Sequence, residues 1–504
     1  MATIHITNAA QLQDMSSDLS ADYVLDNDVN LYGITWSPVG TLVSPFTGTF
    51  DGGGFRIKNL TYVGSSGVGI FGYATGASFS NVKLENFTLQ GLEYVGALVG
   101  CMTGGSASNC KTQGGTIIGT ATLVDPAGDV GGLIGCTLGG VTLTSCTASC
   151  TVSGAYDIGG LIGSIKNIDG TAISHSAISS CWSTGVVTGE EQLGYASSGI
   201  GGMIGLAYLH NGTNIDTSSI TGCFANGDVS GNNSVGGFIG KVTVAHSNVV
   251  TISSCYSRGD VSGVAQGSGT ESQKIGGFIG WGTQPISNCY SVGNVSSEGS
   301  TSDYGSYDVG GFAGWGENIT WSYSTGDVTA GAGAVAGANS GAKEIGGFIG
   351  ETYTSISGCY SHGDVTAASG PLLDIANAST DIGGFVGWIQ TGAGVYHSYA
   401  TGSVLGSQNV GGFAGYNMGT ITNSFSRGAM ASGVYYTGGF IGKNAGPLVK
   451  KCYTSEGAVM GDAGVGGFIG SQHDDAGCSM INSFASCPVT GNTLVGGFIG
   501  NEYA

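Results

Sequence analysis

A Gly-Asp-Val phrase recurs along the chain and lines up Asp228, Asp260, Asn294, Asp327 and Asp364. If successive copies stack as neighbouring strands, these side chains lie roughly 5 Å apart. Carboxylates so placed suit three kinds of chemistry. They can share a hard cation such as Ca2+, which takes oxygen ligands. They can serve as the acid and base of glycoside cleavage, which needs a pair of carboxyls across a sugar. Or they can stand at turns, relieved by water. No Lys, Arg or His accompanies the column throughout, which counts against catalysis. Asp228, Asp260, Asp327 and Asp364 are therefore the candidate Ca2+ ligands, the solvated turn is the other reading, and no further cofactor is implied. Arg258-Gly-Asp260 spells an integrin-type tripeptide. Asn226, Thr325 and His362 precede the same Gly-Asp in other copies, so the glycine and aspartate belong to the repeat.

A second set could bind rather than react. The residue after a recurring Gly-rich hexamer is Lys241, Trp281, Trp315, Glu351, Trp388, Tyr416 or Lys443, a mixture that marks an exposed position. Flat faces at Trp281, Trp315, Trp388 and Tyr416 would stack on sugar rings or on a protein partner, unless a neighbouring loop shields them. Four consecutive repeats carry their extra length at one place, residues 262–274, 296–308, 329–344 and 366–381, with Tyr304 and Tyr307 among the Ser, Thr, Gly and Asn. Insertions on one corner of a repeat array usually build its binding face. A second set, residues 164–178, 206–220 and 241–251, falls at a different corner.

The frame that must position these residues is written repeatedly. The hexamer Val/Ile-Gly-Gly-Phe/Leu/Met-Ile/Val/Ala-Gly begins at Val130, Ile158, Ile200, Val235, Ile275, Val309, Ile345, Ile382, Val410, Val465 and Val495, with looser copies at Val68, Val95 and Thr437. A second phrase follows each, as in Ile286-Ser-Asn-Cys-Tyr-Ser-Val-Gly-Asn-Val295. Units of about 28 residues with two or three short β-type phrases are too small to bury a core alone, so they must stack. Glycine and β-branched residues interrupt every window long enough for a helix. The expected fold is all-β, a right-handed parallel β-helix of about fourteen rungs. Residues 1–67 read as an N-terminal cap with the first rungs, and 68–504 as the repeats. Residues 8–19 read as a short capping helix with Asn8 as its N-cap.

Within the second phrase, period-2 alternation puts Cys, Ser, Gly and Val inside and the aromatic outside. Cys110, Cys146, Cys181, Cys223, Cys255, Cys289, Cys359 and Cys452 then share one column with Ser322, Ser398, Ser424 and Ser483. Cys alternating with Ser reads as a small buried side chain, not a metal ligand or nucleophile. Cys478 and Cys487 lie off the column and are candidates to pair.

With 98 glycines, 7 prolines and 41% hydrophobic residues, the chain can bury a core. Its 13 Lys+Arg against 33 Asp+Glu give a net charge of −20, which argues against nucleic acid and anionic lipid as partners. No run is long and apolar enough to span a membrane. Met1-Ala-Thr-Ile-His-Ile-Thr7 has neither the basic start nor the apolar stretch of a signal peptide. Extracellular placement would then follow removal of a leader or export by another route, such as on a virus particle. Only Asn501-Glu-Tyr-Ala504 follows the last hexamer, which reads as an open edge through which copies could associate.

The hexamer followed by Asn-Cys-Tyr-Ser-x-Gly-Asn-Val resembles the GLUG motif of bacterial surface adhesins and of the non-catalytic part of IgA-cleaving peptidases. Ala10-Gln-Leu-Gln13, Tyr23–Leu31 and Phe46–Gly54 resemble the opening segment of such proteins. The resemblance implies a cell-surface or extracellular scaffold and no enzyme. None of the seven histidines is followed by Glu, so the peptidases' His-Glu-x-x-His is absent. The expected function is an adhesin or receptor-binding fibre segment that holds a surface glycan or a cell-surface protein. A structural filament subunit is the second reading, and a polysaccharide-active β-helix enzyme the third.

Overall fold

The computed structural model describes residues 3–120, 128–167, 175–209, 217–244, 248–266, 270–300, 304–333, 340–369, 378–428, 431–473 and 477–503. The chain divides into two compact units, residues 1–230 with 237–259, and residues 231–236 with 260–504. Both repeat a parallel rung, which in the first unit includes three-strand turns such as Gly128–Gly131, Ile134–Thr144 and Thr147–Gly154.

In the second unit a rung consists of five short strands where the phrases alone suggested two or three. Lys343–Gly346 carries the start of the hexamer, and Ile349–Thr352, Ser355–Ser357, Tyr360–Ser361 and Val365–Ala367 follow. Each pairs in parallel with its counterpart one repeat later. Ile345 faces Ile382, Ile349 faces Val386, Ile356 faces Val395, Tyr360 faces Tyr399, and Val365 faces Val404. The first unit winds in the same way, with Ile158 opposite Ile200, Ile162 opposite Ile204 and Ile178 opposite Ile220. The fold is a parallel β-helix, as the repeat requires.

Its thinness comes from the hexamer glycines. A Cβ on Gly310 would meet Ala313 O at 2.0 Å, one on Gly311 would meet Gly347 O at 2.2 Å, and one on Gly314 would meet the Lys274 carbonyl carbon at 2.5 Å. All three contacts are with rigid backbone, so no side chain fits. Around these close approaches, Phe278, Phe312, Phe348, Phe385, Phe413, Phe440, Phe468 and Phe498 stack at 4.8–4.9 Å in one column. Full burial of such a ring stabilises by about 1.5–3 kcal/mol. In the first unit the same column is Leu98, Leu133, Leu161 and Met203, ending on Phe238, all fully buried.

The Cys/Ser column lies inside, as expected, but size is not its whole reason. The N–H of each column residue points inward and donates to the column atom of the next rung. Cys146 N–H reaches Cys181 Sγ at 3.4 Å, Cys289 N–H reaches Ser322 Oγ at 3.2 Å, and Ser398 N–H reaches Ser424 Oγ at 3.2 Å. Sulfur and oxygen both accept, and alanine could not. Two residues on, Ser324, Ser361 and Ser426 donate across the coil to Gly347 O, Gly384 O and Gly439 O at 2.7, 2.7 and 2.8 Å. The second phrase thus satisfies carbonyls that the hexamer buries.

Two expectations need correction. The N-terminal helix, capped by Asn8 Oδ1 on Gln11 N–H at 3.0 Å, spans only Ala9–Gln13 and tightens into a 3-10 turn at Asp14–Ser17. Ser16 and Ser17 turn their hydroxyls back onto Gln13 O and Asp14 O, the local bonding that ends helices. Leu12 and Met15 are fully buried. Cys478 and Cys487 form no disulfide. Their thiols donate instead to His473 O and Gly467 O.

Ser424→Cys should change stability little, because both atoms accept the Ser398 N–H. Ser424→Ala should cost about 1–3 kcal/mol by leaving that buried N–H unpaired. Cys289→Phe should overpack the coil by about 1–3 kcal/mol. Urea unfolding of the three variants measures this ranking.

Candidate functional site

The residue before each hexamer turns the chain through a left-handed corner. Lys274, Asp308, Glu344, Asp381, Asn409 and Tyr436 have φ between 52° and 63°. A non-glycine residue there costs about 1–2 kcal/mol, repaid by the fold around it. The last hexamer glycine of the following repeat packs on the corner backbone: Gly350 on Asp308, Gly387 on Glu344, Gly415 on Asp381. The corner side chains point outward beside the post-hexamer column. That column runs in register through Trp281, Trp315, Glu351, Trp388, Tyr416 and Lys443. Together the two columns form a shelf along the second unit.

The post-hexamer side chains are not freely exposed, contrary to expectation. Trp281, Trp315, Trp388, Tyr416 and Lys443 are half-buried, and Glu351 is buried. The cause is mutual contact along the shelf. Trp281 and Trp315 meet edge-to-face at 5.9 Å, Trp315 meets Tyr353 at 5.5 Å, and Trp388 stacks on Tyr416 at 5.7 Å. Lys274 Nζ lies 5.7 Å from the Trp281 ring, and Lys443 Nζ 4.7 Å from that of Tyr416. Trp388 Nε1 is buried without an acceptor. The four inserts each end at a corner residue, so they open onto this shelf. Tyr304 is 49% exposed, Tyr307 donates to Gln273 Oε1, and both line a cleft of ≈ 350 Å³ that reaches Lys343 and Glu344. Parts of all four inserts lie outside the described residues.

The shelf also holds a group that sequence reasoning left unassembled. Ligand oxygens of Asp308, Glu344 and Glu351 lie within 4.8 Å of one another. Burial, the Asp308 charge beside it and a hydrogen bond to Asp308 hold the Glu344 carboxyl well above the usual range, and burial raises Asp308. Burial and the neighbouring Glu351 push the Tyr353 hydroxyl up to about 12. A readable signal existed. In a chain with 9% charged residues, Lys274, Asp308, Glu344 and Asp381 occupy the pre-hexamer position of four successive repeats.

The Gly-Asp-Val column stands elsewhere. Asp228, Asp260, Asp327 and Asp364 are exposed. In the second unit each side chain accepts the next rung's N–H: Asp260 from Asn294 at 2.8 Å, Asn294 from Asp327 at 3.0 Å, Asp327 from Asp364 at 2.9 Å, Asp364 from Ser403 at 2.7 Å. The amide of Asn294 does what the carboxylates do, so the position needs an acceptor oxygen more than a charge. The outward aromatics of the second phrase, Tyr290, Tyr323, Tyr360, Tyr399, Phe425, Tyr453 and Phe484, stack at 4.7–5.2 Å and cover one another's faces. Trp321 escapes such a stack. It is 67% exposed, its ring beside Gly358, where a Cβ would come within 2.6 Å of it.

Residues 406–429 contain one complete hexamer, Val410–Gly415, with the second phrase after it, and they match the family model of the GLUG motif. This stretch is a GLUG motif. Its corner is Asn409 and its shelf residue Tyr416, so the motif includes one step of the shelf. Two solved structures are similar to the chain. One is a "putative immunoglobulin A1 protease" from Bacteroides ovatus, 21% identical, covering 58% of this chain and 76% of its own, with a TM-score of 0.37. The other is the catalytic unit of a thermostable GH87 α-1,3-glucanase from Streptomyces thermodiastaticus strain HF3-3, 13% identical, covering 94% and 68%, with a TM-score of 0.22. Neither likeness is close enough to bear on what this chain does. No curated protein matches the sequence.

Asp327→Asn should be nearly neutral, because its oxygen still takes the Asp364 N–H. Asp327→Ala should cost about 0.5–1.5 kcal/mol, the net worth of one hydrogen bond. Thermal melting of both variants checks the difference.

Proposed function

We propose that the chain is a non-catalytic binding segment that works outside the cell, as an adhesin or receptor-binding fibre does, and that the shelf of the second unit holds a surface glycan. The supporting observation is the line of Trp281, Trp315, Trp388 and Tyr416 in one column, each ring half-buried. Rings fixed by their neighbours lose little freedom on binding, and an aromatic face takes the apolar face of a sugar. Tyr304 and the insert corner beside it offer polar groups of the kind that fix a ligand's orientation. A net charge of −20 favours neutral or basic sugars over polyanionic ones.

Burial favours binding over catalysis. Cleavage of a glycoside needs two carboxyls open to the substrate on either side of the bond. Among the described residues the group of three close carboxyls is Asp308, Glu344 and Glu351, with Asp308 only 4% exposed and Glu351 7%, while the exposed Asp327 and Asp364 are engaged by backbone N–H groups. Neither arrangement sets two open carboxyls on either side of a bound sugar.

A glycan array with the intact chain, followed by calorimetric titration of the strongest hit, tests this reading. Trp281→Ala, Trp315→Ala and Trp388→Ala should each weaken binding about 3- to 10-fold, the worth of one aromatic contact. Trp321→Ala should leave affinity unchanged. Loss at Trp321 with silent shelf variants would move the site off the shelf, and an array without hits would remove the glycan reading.

A further inference from the structure

We propose that Asp308, Glu344 and Glu351 hold one divalent cation of the hard, oxygen-binding class, with Ca2+ the best fit. This goes beyond the glycan reading and does not depend on it.

The geometry comes first. The three ligand oxygens lie within 4.8 Å of one another. Oxygens on one Ca2+ ion, each about 2.4 Å from it, lie no more than about 4.8 Å apart, and this set falls inside that limit. Mg2+ keeps a strict octahedron and several of its waters, which a buried set of protein carboxylates suits less well. The donors are all carboxylate oxygens, which excludes the softer metals that prefer sulfur or imidazole.

A second observation points the same way. Asp308 is 4% exposed, and its Oδ1 is buried with no hydrogen-bond partner among the described residues. Its side chain's hydrogen bond with Glu344 joins it only to another acid, and a carboxylate removed from water with no cation bonded to it is costly to keep. Glu351, by contrast, is positioned. Gln390 Nε2 donates to its Oε1 at 2.5 Å, and Tyr353 hydrogen-bonds to it as well. Such partners orient a ligating carboxylate.

The first unit supplies a comparison. Its corner column also carries two acids, Asp129 and Asp157, and there Lys166 Nζ lies 2.7 Å from one and 4.0 Å from the other. In the second unit no ion pair to Asp308, Glu344 or Glu351 exists among the described residues. Lys274, the corner residue one rung before Asp308, turns its Nζ over the rings of Trp281 and Tyr307. Lys274 acts on Asp308 through space, but among the described residues no lysine bonds to these three carboxyls as Lys166 does to Asp129, and a bound cation would supply that contact. A proton shared between Asp308 and Glu344 is the competing way to relieve the same repulsion, and the experiment separates the two.

The full chain, stripped with chelator and dialysed, is titrated with Ca2+ at pH 7 by calorimetry and by thermal melting. One Ca2+ per chain should bind, and the melting temperature should rise by several degrees. Tb3+ should bind at the same place and luminesce through Trp315 and Tyr353, and Ca2+ should displace it. Asp308→Asn and Glu344→Gln should abolish the calcium heat, the thermal shift and the Tb3+ signal. Without metal, both variants should melt at or above the parent, because they remove the repulsion, so lost binding cannot be confused with lost folding. Asp327→Asn should leave all three readouts unchanged. A parent chain that shows neither calcium heat nor thermal shift would overturn the proposal in favour of the shared proton. Loss of binding in Asp327→Asn, with the other two variants silent, would overturn it in favour of the Gly-Asp-Val column. None of these readouts involves a sugar. A chain that binds Ca2+ but no glycan keeps this site and loses only the glycan reading.

Discussion

The closeness of one rung's backbone to the next at the hexamer is the constraint on which the rest of this structure depends. Gly311 and Gly314 face the backbone of neighbouring rungs at 2.2 and 2.5 Å from where a Cβ would be, and Gly310 faces its own rung's Ala313 O at 2.0 Å. With side chains excluded there, the coil is narrow enough for one phenylalanine per rung, with aliphatic residues such as Ile345, Ile349, Ile356 and Val365, to fill its second-unit interior. A narrow coil also traps polar backbone. Its carbonyls and N–H groups must find partners inside, because an orphaned one costs about 1–3 kcal/mol. The Cys/Ser column and the inner serines of the second phrase meet that demand. Hexamer and phrase are therefore two halves of one hydrogen-bonding arrangement, which is why they recur together.

The same close approach creates the surface. Gly350 and Gly387 can lie against the corners at Asp308 and Glu344 only because those corners adopt a left-handed turn. That turn throws the corner side chain outward, next to the post-hexamer residue. What occupies the two columns is then free to vary without touching the core. Tryptophan, lysine, carboxylate and tyrosine all occur there, and the local chemistry follows from which of them meet on adjacent rungs. In the first unit the corner acid Asp129 pairs instead with Lys166, two residues beyond the post-hexamer position. In the second the two columns gather three carboxyls between aromatic neighbours.

Much of the fold was legible from side-chain types. The recurrence of Gly-Gly, the Cys/Ser exchange and the alternation that sends Tyr290 or Tyr360 outward all report burial, and burial is what side chains record. Backbone conformation at the corners is not recorded in the same way. Lys274, Glu344, Asn409 and Tyr436 share a positive φ yet have nothing chemical in common. Without that turn, the half-burial of Trp281 and Trp388 and the meeting of Asp308 with Glu344 and Glu351 could not be anticipated. The Gly-Asp-Val column illustrates the reverse difficulty. Its carboxylates stood out as a charged set, but their oxygens serve backbone N–H groups, and only coordinates distinguish an acceptor from a ligand.

The inserts that end at the corners carry one further consequence. They leave the coil after Val261–Gly263, Val295–Ser297, Val328–Ala330 and Val365–Ala367, and return at strands that remain in register whatever lies between. Loop length is thereby uncoupled from strand pairing, and lengthening a closed loop costs little, about 0.6 kcal/mol per doubling. Each rung acts as an independent display slot at a fixed spacing. A lineage, or an engineer, could exchange one loop for another and alter what that slot presents, while the next slot and the spine beneath both stay as they were.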